Sequence, residues 1–374
     1  MRVAVFHLGA TNPDFAGGRF WPLLQYLSDY AQHVVIVTPS PMARKVRMAY
    51  PRFHVIAVPQ PVHSHTKSGI VINYGFAFLW AALLRAQAID VAIALTGFVC
   101  DVVSADLLAK RSSAVSVVYV DNLTVRKRPE RTWWVALDKA AGYASERLFR
   151  RFNVVLAGSN AVARGLRALG VAGKSIHVTG YGIGGEALGH VREETIVRIR
   201  GRAVFVARFS AAKGVFDLLR AWEDVVTAVP YATLHIMGVG EDSMVATLRQ
   251  TAARSPARDS VRFLGFVDDK TKFRELLSAH VMIFPTYSEQ YSQTVAEALA
   301  CGLHIVAYDI EGFRTNFPGL LDVGPVGDID SLSRRAAGAL VDPRPPEVEI
   351  QPSYDPFFDR ERAVIEMALR EHAS

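Results

Sequence analysis

The chain has 374 residues, half of them apolar and about a fifth charged, which allows two domains with full cores and excludes a disordered chain. Its two cysteines, Cys100 and Cys301, lie too far apart in sequence to suggest a secreted disulfide framework, so a reducing cytoplasm is expected. The net charge of +6 conceals a division, because residues 1–180 hold 21 Lys/Arg against 9 Asp/Glu and residues 181–374 hold 21 against 27. The two halves are therefore expected to meet different partners.

In chain order, RVAVFHL reads as a strand, and Phe20 to Tyr30 (FWPLLQYLSDY) carries the apolar spacing of a helix. The opening run meets polar and acidic residues too soon for a signal peptide. Further strands are expected at HVVIVT, FHVIAV, VAIAL, AVSVVYV, VVLAGS and IHVTG, with a helix from Asn160 to Leu169. The apolar run from Gly69 to Leu84 is shorter than the ~18–20 residues a membrane-spanning helix needs. No bilayer span is expected.

Residues 124–152 stand out for eight basic and three acidic residues around the pair Trp133-Trp134. Cations interleaved with aromatics suit the face of an anionic leaflet, and a solvated helix with core tryptophans competes evenly with that reading. Nucleic acid is not an expected partner, because the acidic second half would repel a polyanion and no binding motif is present.

Five glycines between Gly180 and Glu194 interrupt the pattern, which then restarts with AVFVAR, TLHIMG, VRFLG, VMIFP and HIVAY. Helices are expected at Val215 to Val229, Lys270 to His280 and, after a proline-rich stretch, Asp359 to His372. Strands alternating with helices in two runs predict an α/β fold of two doubly wound, Rossmann-like domains facing a cleft. The expected domains are residues 1–182 and 183–350, with a helical segment 351–374 packing back towards the first. Ligands of such sheets lie outside the carboxyl ends of the strands, so the cleft between the domains is the expected site.

The stretch FPTYSEQYSQTVAEALACGLHIVAYD, Phe284 to Asp309, reads as strand, turn and helix, with Glu289 and Glu297 separated by seven residues. The first amides of the helix, near Ser292 to Thr294, suit a phosphate. If that segment is largely helical, the two glutamates lie roughly 12 Å apart on one element, a poor arrangement for a glycosidase pair flanking a sugar. Two separate anchors for the hydroxyls of a sugar nucleotide fit better. In VFVARFSAAKGVFDLLRAW, Arg208 and Lys213 frame a strand-to-helix loop where they could neutralise a diphosphate. Gly17-Gly18, in NPDFAGGRF, would let backbone approach a ligand. His235 reads as a core or strand-end histidine, GVGED lacks the third glycine of a dinucleotide fingerprint, and no spacing suggests a metal site.

The order of AGSNAVARGLRALGVAGKSIHVTGYGIG, VARFSAAKGVFDLLRAW, IMGVGEDSMVATLRQTA, VRFLGFVDD and EQYSQTVAEALACGL resembles the retaining glycosyltransferases of family 4, which have the GT-B fold. The resemblance is clear from about residue 154 to 310. It implies that Glu297 holds the ribose hydroxyls and Glu289 the donor sugar. Arg208, Lys213 and the backbone of Tyr291, Ser292, Gln293 and Thr294 would bind the diphosphate. Gly265, Phe266 and Val267 would lie against the base, and Gly17 and Gly18 would close over the phosphates.

The departures are Asp121, at the place of the histidine many relatives carry, Gln290-Tyr291-Ser292 in place of Gly-Phe-Gly, and EGFRT in place of Gly-Gly-x-Pro-Glu. The expected activity is retaining, metal-independent hexosyl transfer without a cofactor. The donor would be a UDP-, GDP- or other nucleotide-diphosphate sugar and the acceptor a glycan or lipid-linked molecule, in cell-surface polysaccharide or glycolipid synthesis. The expected location is the cytoplasm, at the inner face of the membrane if residues 124–152 bind it. Two other readings compete: an inactive nucleotide-sugar-binding scaffold and a sugar-nucleotide epimerase of the same fold.

Overall fold

The computed structural model describes residues 1–8, 19–59, 88–121, 123, 133–180, 182–183, 185–347 and 354–373, with the side chains of 133–139 and 186 left out. The chain divides into two compact units, Met1–Tyr181 with Tyr354–Ser374, and Gly182–Ser353.

The first unit is built on seven parallel strands: β1 (Arg2–Phe6), β2 (His33–Pro39), β3 (His54–Val58), β4 (Val91–Ala94), β5 (Val115–Val120), β6 (Val154–Ala157) and β7 (Ile176–Val178), in the order β3-β2-β1-β4-β5-β6-β7. Every residue of β4, β5 and β6 is buried, which is why these runs read as continuously apolar rather than alternating. Helices α1 (Phe20–Tyr30), α2 (Ser40–Ala49), α3 (Val99–Ser112), α4 (Trp133–Leu148) and α5 (Asn160–Ala168) accompany the strands. Separate apolar clusters form around Ala4, Phe6, Val118 and Leu166, and around Val5, Leu24, Val117 and Phe358. Their strand members are alternate residues of the same strands and so line the sheet's opposite faces.

Phe358 belongs to the C-terminal helix, Asp355–Ala373, which starts four residues earlier than its sequence pattern suggests. Its Glu361, 2% exposed, pairs with Arg19 at 3.1 Å and accepts the Tyr119 hydroxyl at 2.6 Å. Arg19 also lies over the Tyr119 ring and donates to the Gly180 carbonyl. A buried carboxylate is tolerable only when compensated in this way.

The second unit contains α6 (Gly185–Arg192), β8 (Arg202–Val206), α7 (Val215–Ala228), β9 (Thr233–Met237), α8 (Asp242–Arg254), β10 (Val261–Gly265), α9 (Asp269–Ser278), β11 (Val281–Phe284), α10 (Gln293–Ala300), β12 (His304–Tyr308), α11 (Glu311–Asn316), β13 (Asp322–Gly324) and α12 (Ile329–Val341). Its parallel sheet runs β10-β9-β8-β11-β12-β13. The strand order reverses between β8 and β11, which pair through Ala203 and Val204. In a doubly wound sheet the loops leaving such a pair of strands are where ligands bind.

Among the described residues no helix is long and apolar enough to cross a membrane. Cys100 and Cys301 are both buried free thiols.

Candidate functional site

The loop leaving β8 and the loop leaving β11 are locked to one another. Gly214, between a turn of 3-10 helix and α7, has φ of 67° and sits so close to the second loop that a Cβ there would lie 1.8 Å from the Pro285 carbonyl oxygen. Only glycine fits at this position. The Tyr287 amide donates to the Ala212 carbonyl at 2.9 Å, and the Thr286 hydroxyl donates to the same oxygen at 3.2 Å. Asp217, in the first turn of α7, accepts from the Tyr287 hydroxyl and, at 2.8 Å, from the Tyr308 hydroxyl.

From the other side α11 fixes the end of the same loop. The Asn316 amide donates to the Gln290 and Gly312 carbonyls, each at 2.7 Å, and a Cβ on Gly312 would stand 2.0 Å from the Glu289 carbonyl oxygen. EGFRT thus begins a helix whose glycine admits the backbone of Glu289.

Within this frame each of the two glutamates meets a lysine. The Lys213 ammonium is in direct contact with Glu289, and the two side chains are 23% and 14% exposed. Lys272 of α9 pairs with Glu297 of α10 at 2.9 Å, and Glu297 is nearly inaccessible, its side chain 5% exposed. Burial raises the pKa of both carboxyls, and each lysine opposes that rise. Lys272 also reaches Asp269 at 2.9 Å. Burial works against its charge, but the attraction of Glu297 and Asp269 keeps its pKa above the ordinary value. Tyr291 is pushed up to about 12 by burial and then by the charge of Glu297, which places it in the same pocket of potential.

The helix expected from Ser292 begins one residue later. Ser292 is its N-cap and accepts the Val295 amide on its hydroxyl at 3.3 Å. Residues 285–292 are irregular, so the connection between Glu289 and Glu297 is only partly helical, and the premise of a ~12 Å helical span is corrected. Tyr291 lies before the cap, its ring 5.2 Å from that of Phe317, while Gln293 and Thr294 form the first turn of α10.

Arg208, two residues beyond β8, is exposed and makes no hydrogen bond or ion pair with a described residue. At the end of β10, the Gly265 carbonyl accepts the Gly238 amide at 2.8 Å, Phe266 is 64% exposed and Val267 packs against the core.

These residues of the second unit sit on loops or helix starts that follow β8, β10 and β11, except Glu297, which lies in the middle of α10. Asp121 immediately follows β5 of the first unit and is half-buried. Gly17 and Gly18 lie outside the described residues. His235 is a core residue bonded to Glu275 at 2.7 Å.

Lys272 and Asn316 are the site neighbours that the sequence alone does not single out. KTKFREL reads as an ordinary helix start. Among the described residues no group of three His, Cys, Asp or Glu side chains could hold a metal ion.

Residues 200–342 match the family model of the glycosyl transferases group 1. The phosphatidyl-myo-inositol mannosyltransferase of Mycolicibacterium smegmatis is 34% identical over 148 residues, 38% of this chain and 37% of that protein. The 2-deoxystreptamine N-acetyl-D-glucosaminyltransferase of Streptomyces fradiae is 26% identical over 163 residues, 42% of this chain and 38% of that protein. The matched stretch thus spans less than two-fifths of these relatives' own length.

Among solved structures, sucrose-phosphate synthase from Thermosynechococcus elongatus superposes with a TM-score of 0.72 at 17% identity, covering 100% of this chain and 97% of that one. Anabaena HepE, solved with UDP and glucose, gives 0.69 at 15% identity, covering 100% and 98%. Residues 200–342 are thus similar to the glycosyl transferases group 1, and the two doubly wound units share the GT-B fold of these solved structures.

Proposed function

We propose that this protein is a retaining glycosyltransferase moving a hexosyl group from a nucleotide-diphosphate sugar to a glycan or lipid-linked acceptor, in cell-surface polysaccharide or glycolipid synthesis. The observation that carries this reading is the arrangement at the β8–β11 strand ends. An exposed arginine, a helix start, a half-buried glutamate and a buried one, each glutamate held by a lysine, stand on or beside loops that brace one another.

Each element has a chemical task. Arg208 and Lys213 bind the diphosphate and stabilise the charge that grows on it as the bond to the sugar breaks. The amides of Ser292, Gln293 and Thr294 add the field of the α10 N-terminus. Glu289 accepts from hydroxyls of the donor sugar and Glu297 from the ribose. Gly265, Phe266 and Val267 receive the base.

In the transfer, the bond from C1 to the diphosphate oxygen breaks and a bond from C1 to the acceptor oxygen forms on the same face. The acceptor proton passes to the departing phosphate. The two cations supply the charge compensation that a metal gives elsewhere, so the reaction is metal-independent.

The lipid-linked acceptor is supported by the phosphatidyl-myo-inositol mannosyltransferases among the relatives and by the cations of residues 124–152. Of those cations, Arg150 is committed to the Leu169 carbonyl at 2.6 Å and Arg151 approaches Asp106 at 3.5 Å. The others are proposed to meet an anionic membrane at its cytoplasmic face.

The test is transfer from UDP- and GDP-sugars to lipid and glycan acceptors, in the presence and absence of EDTA, with the anomeric configuration of the product read by NMR. A product with the donor's configuration, formed equally well with EDTA, is expected. An inverted product would contradict the mechanism. Donor binding without transfer to any acceptor would favour the scaffold reading.

A further inference from the structure

Resting on the reading of Glu297 as the ribose ligand, we propose that Lys272 is a positioning residue that fixes Glu297 as a singly committed acceptor and so gives the site its preference for ribose over deoxyribose.

The geometry is specific. Lys272 comes from the first turn of α9 and Glu297 from the middle of α10, 25 residues apart in the chain, yet the ammonium meets Oε1 at 2.9 Å. The second acceptor of that ammonium, Asp269 at 2.9 Å, is one turn away on the same helix and is 69% exposed. Two carboxylates thus hold one ammonium from two directions, which leaves it little freedom to swing away from Glu297. The lysine side chain itself is only 15% exposed.

A carboxylate offers about four lone-pair directions. The ammonium occupies one on Oε1, and among the described residues Oε2 has no protein partner. Glu297 is therefore held in one orientation with an oxygen in reserve, able to accept from two adjacent hydroxyls of a ribose. A 2′-deoxy sugar would leave one of those directions without a donor, and a buried charged acceptor left short of a hydrogen bond is costly.

The arrangement also explains why a lysine is needed here. With Glu297 this deeply enclosed, burial favours its neutral form, and the adjacent Asp269 does so too. A neutral carboxyl would accept ribose hydroxyls poorly. The ammonium shifts the balance back towards the anion.

The test compares wild type, K272M, K272R and K272M/E297Q across pH. The probes are UDP, GDP and ADP, each paired with its 2′-deoxy form, and binding is read by calorimetry. Wild type is expected to prefer one ribonucleotide over its deoxy form by about tenfold, the worth of a hydrogen bond to a charged group. In K272M that preference should fall to a few-fold or less. The pH below which affinity is lost should move upward, because Glu297 then protonates more readily. K272R should keep both properties. The double variant removes both charges together, so it should melt near wild type while binding weakly at every pH.

The wild-type ribose preference and acid limb persisting in K272M would overturn the inference, as would a ribose preference that survives in K272M/E297Q. Failure of wild type to bind any of the six probes would instead defeat the reading of Glu297 on which the inference rests. Binding that is weakened in Glu297→Gln and unaltered in K272M would leave that reading standing and remove only the role of Lys272.

Discussion

Lys213, in the loop after β8, and Glu289, in the loop after β11, are in direct contact across the point where the strand order of the second unit reverses. The lysine is committed to the glutamate, while Arg208 five residues earlier is exposed. Under the proposed function, donor binding redistributes this charge. The diphosphate shares or takes the ammonium, and the glutamate gains sugar hydroxyls in exchange.

Lys213→Met removes the cation and leaves Glu289 mostly enclosed. The variant is expected to lose about 1–3 kcal/mol of stability near neutral pH, below the usual cost of breaking a buried pair because both side chains keep some contact with water. The pH dependence has a definite sign. The folded-state pKa of Glu289 is already raised by burial, and losing Lys213 raises it further. A carboxyl with a raised folded pKa favours folding in acid and disfavours it as pH rises through that value. The stability deficit should shrink towards about pH 4 and grow above it, as thermal melts across pH would report.

Gly312→Ala should damage the site more than the fold. A Cβ at that position would be 2.0 Å from the Glu289 carbonyl oxygen, so the loop carrying Glu289 must move. Nucleotide-sugar affinity is expected to fall by about tenfold or more, since misplacement on the ångström scale is enough to disable an oriented site. The sheet, whose core lies elsewhere, should keep its cooperative melt. Affinity equal to wild type would mean that α11 does not hold the loop.

Glu361→Ala addresses the first unit. It removes the acceptor of Arg19 and Tyr119 and leaves a guanidinium only 11% exposed without that carboxylate. A loss of about 3–5 kcal/mol is expected, with Glu361→Gln less severe because it can still accept the tyrosine hydroxyl. Denaturant melts compare the two. Equal melts for wild type and Glu361→Ala would show that the C-terminal helix contributes little to this unit.

The sequence made the architecture legible because parallel strands buried on both faces are uninterrupted apolar runs, and α1 was readable to the residue from its apolar spacing. Helix starts were less legible. Ser292 reads as helix although it is the cap, since a serine is compatible with either position until its hydroxyl is seen to accept the Val295 amide. Glu289, Glu297, Arg208 and Lys213 could be named because they lie on loops and a helix that follow apolar strands, in stretches that resemble the family 4 glycosyltransferases.

Their partners could not be read in the same way. Lys272 lies 25 residues from Glu297, and Asn316 lies 26 residues from the carbonyl it holds. Such contacts depend on which helix packs beside which, and local spacing carries no record of that. The close approach at Gly312 is also non-local, and one glycine in EGFRT looks like any helix-start glycine until the Glu289 backbone is placed against it.

The measurement that tests the central claim most directly is thermal stabilisation of the full chain by UDP-, GDP-, ADP- and TDP-sugars, with Arg208→Ala and Glu297→Ala run beside wild type. One nucleotide family is expected to raise the melting temperature, by an amount equivalent to about 2.7 kcal/mol at a hundredfold excess over Kd. Both variants should lose that shift while melting cooperatively without ligand. A shift that survives in both variants, or no shift with any of the four, would contradict a donor site built at the β8–β11 strand ends.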